Sequence, residues 1–192
     1  MQAARCHNVV MALRFTASYL EDSLTLFRHY KNLAERAMEQ LSEEQLFAAL
    51  DPEMNSIAVV AKHLAGNMLS RWTDFLTTDG EKPERDRDAE FDRPPESREA
   101  LMELWNRGWA CVFTALEPLS DADLGRIVTI RGERHSVMQA IGRQLAHYAY
   151  HIGQIVFLAK HFQSEKWKSL TIPRGQSRSF TERIAKGEAS QR

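Results

Sequence analysis

The segment QLAHYAYHIGQIVFLAK (residues 144–160) indicates both a fold and a site. It belongs to a longer apolar pattern with alternating spacings of four and three residues: Ile141, Leu145, Tyr148, Ile152, Ile155, Ala159 and Phe162. This spacing is typical of a helix packed in a bundle, and we expect the helix over about residues 137–162. His147 and His151 lie on one face of it, one turn apart. Two imidazoles so placed can bind one metal ion, but they form only half a site.

Three more segments have helical periodicity, at about residues 10–41, 56–76 and 97–116. Capping-box patterns at residues 42–45 and 136–139 predict a short extra turn and the start of the last helix. The β-forming run at residues 127–130, followed by Arg131-Gly132, predicts a small β-hairpin. Four long helices predict an all-α four-helix bundle, and the connections at residues 77–95 and 119–135 are long enough for crossovers.

The connection TTDGEKPERDRDAEFDRPP (residues 77–95) is polar, charged and proline-bearing. A solvated surface crossover is the favoured interpretation, and a lid over a site is the alternative. We expect residues 1–177 to form a single domain. The segment after Lys166 reads as irregular, and residues 178–192 as a flexible tail.

The composition is that of a soluble globular protein, with 192 residues, 43% hydrophobic residues and a net charge of -1. Without a basic excess, nucleic acid and anionic membrane surfaces are not expected partners. No apolar run approaches the length of a membrane span, and the N-terminus has no signal-peptide pattern. Cys6 and Cys111, far apart in sequence, favour reduced thiols in a cytoplasmic protein.

The second helix supplies a third imidazole. At about 100° per residue, His147 and His151 fall roughly 80–120° from the centre of the apolar stripe on the last helix. His63 falls roughly 120°, and Asn67 roughly 80°, from the centre of the stripe on the second helix. Flank positions of two adjacent helices border the groove between them, so His63, His147 and His151 could meet there. Three ligands with an open position are typical of a catalytic metal site.

Other known site patterns are missing from the sequence. Position 148 is Tyr, so no HExxH zinc-protease motif is present. No Glu-x-x-His pair occurs, which argues against a di-iron carboxylate bundle. There is no nucleophile elbow, P-loop or dinucleotide-binding glycine motif.

Several polar residues near the histidines are candidates for orienting them or for binding substrate. Asn67 lies one turn from His63, although a helix-surface amide is an equal alternative. Gln144 and Gln154 could hydrogen-bond an imidazole. Arg71 lies near the inward arc, where an arginine needs an acidic partner or an anionic ligand. Gly66 and Gly153 are costly in helices, which close helix approach or ligand access would explain. Two aromatic residues off the main stripes are candidates for an interface, Tyr30 and Trp109.

The sequence resembles the DinB-like (DinB/YfiT-like) superfamily, and it looks closest to a bacterial subgroup of it. The resemblance covers roughly residues 11–177. It is carried by KHLAGNMLSRW (62–72), FLTTDGEKPERDRDAEF (75–91), VTIRGERHSV (128–137), RQLAHYAYHIGQIVFLAK (143–160) and WKSLTIPRGQS (167–177).

This resemblance implies a four-helix bundle with crossover connections and one divalent metal, zinc or nickel. It assigns the metal to His63, His147 and His151. Similar proteins are often homodimers. Some relatives transfer low-molecular-weight thiols (bacillithiol, mycothiol, glutathione) onto electrophiles, and a maleylpyruvate isomerase is among distant kin.

Two functions are therefore open. One is a metal-dependent enzyme acting on a small molecule, either like a thiol S-transferase or like a hydrolase. The other is a non-catalytic bundle, either stabilised by metal or serving as an interaction module. The second is favoured by the lack of an evident general base, such as a Glu beside the metal.

Overall fold

The computed structural model describes residues 15–189, and within them four long helices form the body of the protein. They are α1 (Tyr19–Met38), α3 (Ile57–Trp72), α5 (Arg98–Leu116) and α6 (Val137–Gln163). Short helices α2 (Glu43–Phe47) and α4 (Ala89–Asp92) lie in the connections, and α7 (Ser177–Ala185) follows the body. Strands β1 (Ile127–Ile130) and β2 (Glu133–Ser136) form one antiparallel hairpin. The predicted all-α bundle with a small hairpin is confirmed.

The helix starts follow from side-chain capping. Ser56 accepts from the backbone N–H of Val59 at 3.2 Å. Ser42 and Ser136 each form the predicted capping box, with Gln45 and Gln139 respectively. These contacts satisfy N–H groups that have no partner within the helix.

The first helix is shorter than predicted. The apolar periodicity suggested a start near residue 10, but residues 15–18 are not helical and Ser18 caps the helix by accepting from the N–H of Glu21 at 3.1 Å. Residues 10–14 of the predicted helix lie outside the described residues, as do Cys6 and the N-terminal segment judged for a signal peptide. Capping chemistry outweighs apolar periodicity here.

The long helices pack in a ring, in which α3 contacts α5 and α6, and α1 contacts α6 and α5. Since α5 and α6 are not neighbours in this ring, the connection between them crosses the bundle. The connection between α3 and α5 is also a crossover. It returns along α3, where the Lys62 ammonium donates to the carbonyls of Ala89 and Arg93 at 2.6 and 2.7 Å. As a result α5 runs in the same direction as α3.

An aromatic cluster fills the core between the four helices. Phe27 lies within 6.3 Å, between ring centroids, of Trp72, Trp109 and Tyr148. Trp72 Nε1 donates to the buried Tyr148 hydroxyl at 2.9 Å. Trp109 is fully buried, so its proposal as an exposed interface residue is wrong. Beside it, Gly108 lets α5 approach α3 closely, with Ala65 Cα only 3.0 Å from the place of a Cβ.

The hairpin turns at Arg131 and Gly132, which have φ angles of 55° and 77°. Two consecutive positive φ values are those of a type I′ turn, which suits a two-residue hairpin. The crossover pairs with this hairpin, since Gly80 N–H donates to the Thr129 carbonyl at 2.7 Å. The Asp79 carboxylate also accepts from the N–H groups of Arg131 and Gly132, both at 2.8 Å. Crossover and hairpin are thus tied together beside α3.

The chain after α6 is not wholly irregular as the sequence suggested. Residues 177–185 form α7, in which no residue is buried. Leu170 does dock on the core, being 6% exposed. Within residues 15–189, the structure contains no helix with both the length and the hydropathy of a membrane span.

Candidate metal centre

Three imidazoles meet in the groove between α3 and α6. One ring nitrogen from each of His63, His147 and His151 lies within 4.8 Å of the others. His63 comes from the middle of α3, and the other two come from successive turns of α6. No further Cys, Asp, Glu or His joins the cluster among residues 15–189.

The spacing of the His63 and His147 nitrogens fits a tetrahedral metal ion. His63 Nε2 lies 3.3 Å from His147 Nε2. Two ligands at about 2.0–2.1 Å from one tetrahedral ion stand about 3.4 Å apart. The chemistry of the donors also fits, because imidazole binds zinc, nickel, copper and iron.

The outer nitrogens of two of these rings are held in place. Nδ1 of His63 donates to Glu90 Oε2 at 2.8 Å, and Nδ1 of His151 donates to Gln154 Oε1 at 2.8 Å. With its proton on Nδ1, each ring presents the lone pair of Nε2 to the centre. Carboxylate and amide partners of this kind typically fix metal-binding histidines.

Two of the imidazoles are kept neutral. Burial, together with the neighbouring His151 and His63, lowers the pKa of His147 to about 3. Burial also lowers the pKa of His151, against the opposing effect of the hydrogen bond that His151 donates to Gln154. A neutral imidazole is the form that binds metal, so protons compete little with the ion for His147 and His151 near pH 7.

Glu90 is the residue that the sequence reasoning missed. Its side chain is only 8% exposed and is shared between His63 and Arg85, whose Nε and Nη2 donate to it at 2.8 and 2.9 Å. Burial alone would raise the pKa of Glu90, but these hydrogen bonds outweigh it and the pKa lies below its usual value. Glu90 is therefore an ionised carboxylate.

Gly66 makes room for Glu90. A Cβ at Gly66 would lie 2.4 Å from Glu90 Oε1, so the close approach expected at this glycine is made by a carboxylate. Gly153, by contrast, has no heavy atom within 4 Å of an added Cβ. The interpretation of residues 77–95 as merely solvated is wrong for Glu90 and Arg85, whose side chains are only 8% and 6% exposed. Glu90 finds a buried partner in His63 of α3, and Arg85 is paired with Glu90.

A cleft of about 410 Å³ opens beside the histidines. It is lined by the three histidines, by Phe91 from the crossover and by two groups of polar side chains: the arginines Arg71, Arg85, Arg87, Arg131 and Arg143, and the amides Asn67 and Gln144. Its size suits a small-molecule ligand. The crossover thus borders the site, as the alternative interpretation of a lid required.

The polar residues that the sequence offered as neighbours of the histidines differ in what they contact. Gln154 binds His151, whereas Gln144 makes no hydrogen bond to an imidazole; the carbonyl oxygens of Gln144 and Asn67 are buried without a partner among the described residues. Arg71 finds the acidic partner it needs in Glu81, with Nη1 2.8 Å from Oε2.

Comparison with known proteins locates the chain in a family. The model of a family described as a protein of unknown function (DUF1572) matches residues 14–176. None of the curated proteins matches the chain. Among solved structures, a DinB-like protein from Bacillus cereus is similar, with a TM-score of 0.52 and 18% identity over 74% of this chain and 91% of that chain. At this identity the likeness establishes the shared fold.

Proposed function

From the premise that the chain belongs to the DUF1572 family and has the DinB-like fold, we propose that it is a divalent-metal-dependent enzyme acting on a small molecule. The observation that carries this proposal is the convergence of three imidazoles at the wall of an open cleft. Three protein ligands beside a ligand-sized cavity leave a coordination position for substrate. Zinc and nickel are the metals we favour, and a low-molecular-weight thiol is the favoured substrate or cosubstrate.

A divalent metal held there would supply Lewis acidity, lowering the pKa of a coordinated thiol or water and polarising a carbonyl. Residues around the three histidines hold the imidazoles in the orientation that metal binding requires. Glu90 and Gln154 fix the orientation of two imidazoles. Phe91 covers one face of His63, with ring centroids 4.5 Å apart. These contacts hold the ligands before any substrate arrives.

The first test is metal content. We expect about one equivalent of metal per wild-type chain, as for a three-histidine site, and its loss in His147→Ala. His161→Ala is the matched control, since His161 is an exposed histidine on the same helix. Full metal occupancy in His147→Ala would reject the site.

The second test is turnover. Low-molecular-weight thiols are screened with generic electrophiles, and esters are screened for hydrolysis, with and without chelator. We expect turnover that the chelator abolishes and that His147→Ala lacks.

One observation favours a second candidate function, a non-catalytic bundle stabilised by metal. The carboxylate nearest the cluster, Glu90, is engaged by His63 and Arg85, so it is unsuited to act as a general base. Bound metal without turnover in the screen would support this second function. A homodimer, a cytoplasmic location and the division into a domain at residues 1–177 and a flexible tail at residues 178–192 stay predictions.

A further inference from the structure

The charges around the cleft are strongly one-sided. Five guanidinium groups line it, while none of its lining residues is acidic. Behind the lining, Glu81 Oε2 lies 2.8 Å from Arg71 Nη1, 3.0 Å from Arg131 Nε and 3.4 Å from Arg85 Nη1. The Glu90 carboxylate forms a second ion pair with Arg85 and also accepts a hydrogen bond from His63. Two carboxylates therefore balance three arginines in the wall.

Two more arginines at the cleft, Arg87 and Arg143, have little or no negative charge nearby to balance their own. Arg87 has its ion pair with Asp88, at 3.7 Å, and the Asp88 side chain is 95% exposed. Arg143 forms no ion pair within residues 15–189. It lies on α6 four residues before His147, so its side chain and that imidazole share one face of the helix.

The cleft also offers unused hydrogen-bonding groups. Asn67 and Gln144 are 5% and 2% exposed, and the carbonyl oxygen of each has no partner among the described residues. Buried amides without partners are unusual in a folded protein. Both lie in the wall beside the histidines, where a polar ligand could use them.

We propose that the cleft binds small molecules carrying an oxyanion group, a carboxylate or a phosphate, with the Arg143 guanidinium as its anchor and the remainder of the molecule toward the three histidines. This inference names the substrate class and rests on the proposed function. The planar guanidinium matches both oxyanions through paired N–H donors. The surplus of positive charge also accelerates the approach of an anion and weakens binding as salt rises.

The test compares three probes by isothermal titration calorimetry on protein of measured metal content: succinate, inorganic phosphate and succinamide. Succinamide has the carbon skeleton of succinate without its charge. We expect succinate or phosphate to bind and succinamide to bind at least tenfold more weakly. The tighter of the two oxyanions identifies the group that the cleft accepts. Equal binding of succinate and succinamide would overturn the proposal.

Arg143→Gln shows whether the anchor is assigned correctly. We expect about tenfold weaker oxyanion binding with unchanged metal content, as for loss of one charge-assisted contact. Arg107→Gln is the matched control, because Arg107 is an exposed helical arginine outside the cleft. An oxyanion affinity unchanged in Arg143→Gln would overturn the proposal. Metal content separates the two hypotheses: a metal-loaded protein that binds no oxyanion refutes this inference alone, whereas a protein without metal refutes the proposed function.

Discussion

Replacing Gly66 by alanine should destabilise the protein, although the same change ordinarily strengthens a helix. Alanine is favoured over glycine inside a helix by about 1 kcal/mol. At Gly66 the added Cβ would lie 2.4 Å from Oε1 and 2.8 Å from Cδ of Glu90. Atoms do not approach so closely, so the Glu90 carboxylate has to move.

The size of the destabilisation follows from the hydrogen bonds and ion pairs that the Glu90 carboxylate loses when it moves. Glu90 accepts from His63 Nδ1 at 2.8 Å and from Arg85 at 2.8 and 2.9 Å, in a place where its side chain is 8% exposed. Removing one partner from a buried ion pair costs about 3–5 kcal/mol. The lower value of about 3 kcal/mol applies, because a displaced Glu90 carboxylate is solvated by water again. After the gain of about 1 kcal/mol in helix propensity, we expect a net loss of about 2 kcal/mol.

Urea denaturation of the metal-free protein measures this loss of unfolding free energy, and competition with a chromophoric chelator measures metal affinity. We expect about 10–100-fold weaker metal binding, since His63 loses the acceptor that orients it. Gly153→Ala is the matched control, because the new Cβ on α6 meets no heavy atom within 4 Å. It should stabilise by up to about 1 kcal/mol with unchanged metal affinity. If the two variants behave alike in both measurements, the assignment of Glu90 is refuted.

Two further predictions concern single side chains. The metal-free protein should lose stability as pH falls from about 6.5 toward about 3, because unfolded His147 gains a proton at its ordinary pKa while the folded pKa is lowered to about 3. Thermal melts across this range should have a shallower pH dependence in His147→Gln, and identical slopes would contradict the shift. Tyr148→Phe should cost about 1–3 kcal/mol in urea denaturation, because Trp72 Nε1 would be left buried without an acceptor. A variant as stable as the wild type would show that this N–H finds another acceptor.

Local patterns in the sequence were sufficient for the four long helices, apart from the start of α1, and for the meeting of the histidines. The apolar stripe of α6 repeats without a break, so its bounds were predicted to within a residue. Angles along a regular helix are fixed by geometry, which is why His63 and His147 could be assigned to facing flanks. The turn at Arg131-Gly132 could be predicted because few residue pairs accept its backbone angles.

The role of the crossover could not be predicted from local sequence patterns in the same way. Glu90 lies in a run of charges, and a charged residue is usually exposed unless tertiary structure supplies partners. One partner, Arg85, lies on the same connection, but His63 is brought to Glu90 only when the connection folds back along α3. Gly66 was the one available signal, since a glycine in a helix marks a close approach without naming what approaches. Likewise the unpaired state of Arg143 depends on where every carboxylate lies.

Long connections between helices are ordinarily where a chain tolerates inserted residues. The connection between α3 and α5 is attached to the rest of the protein near both of its ends. Near its start it pairs with the hairpin through Asp79 and Gly80, and near its end Glu90 reaches His63. The length of chain between these attachments is therefore set by the distance it must span along α3. Inserted residues should be accepted after Arg93, where the chain has left the histidines, and should be harmful between Gly80 and Glu90.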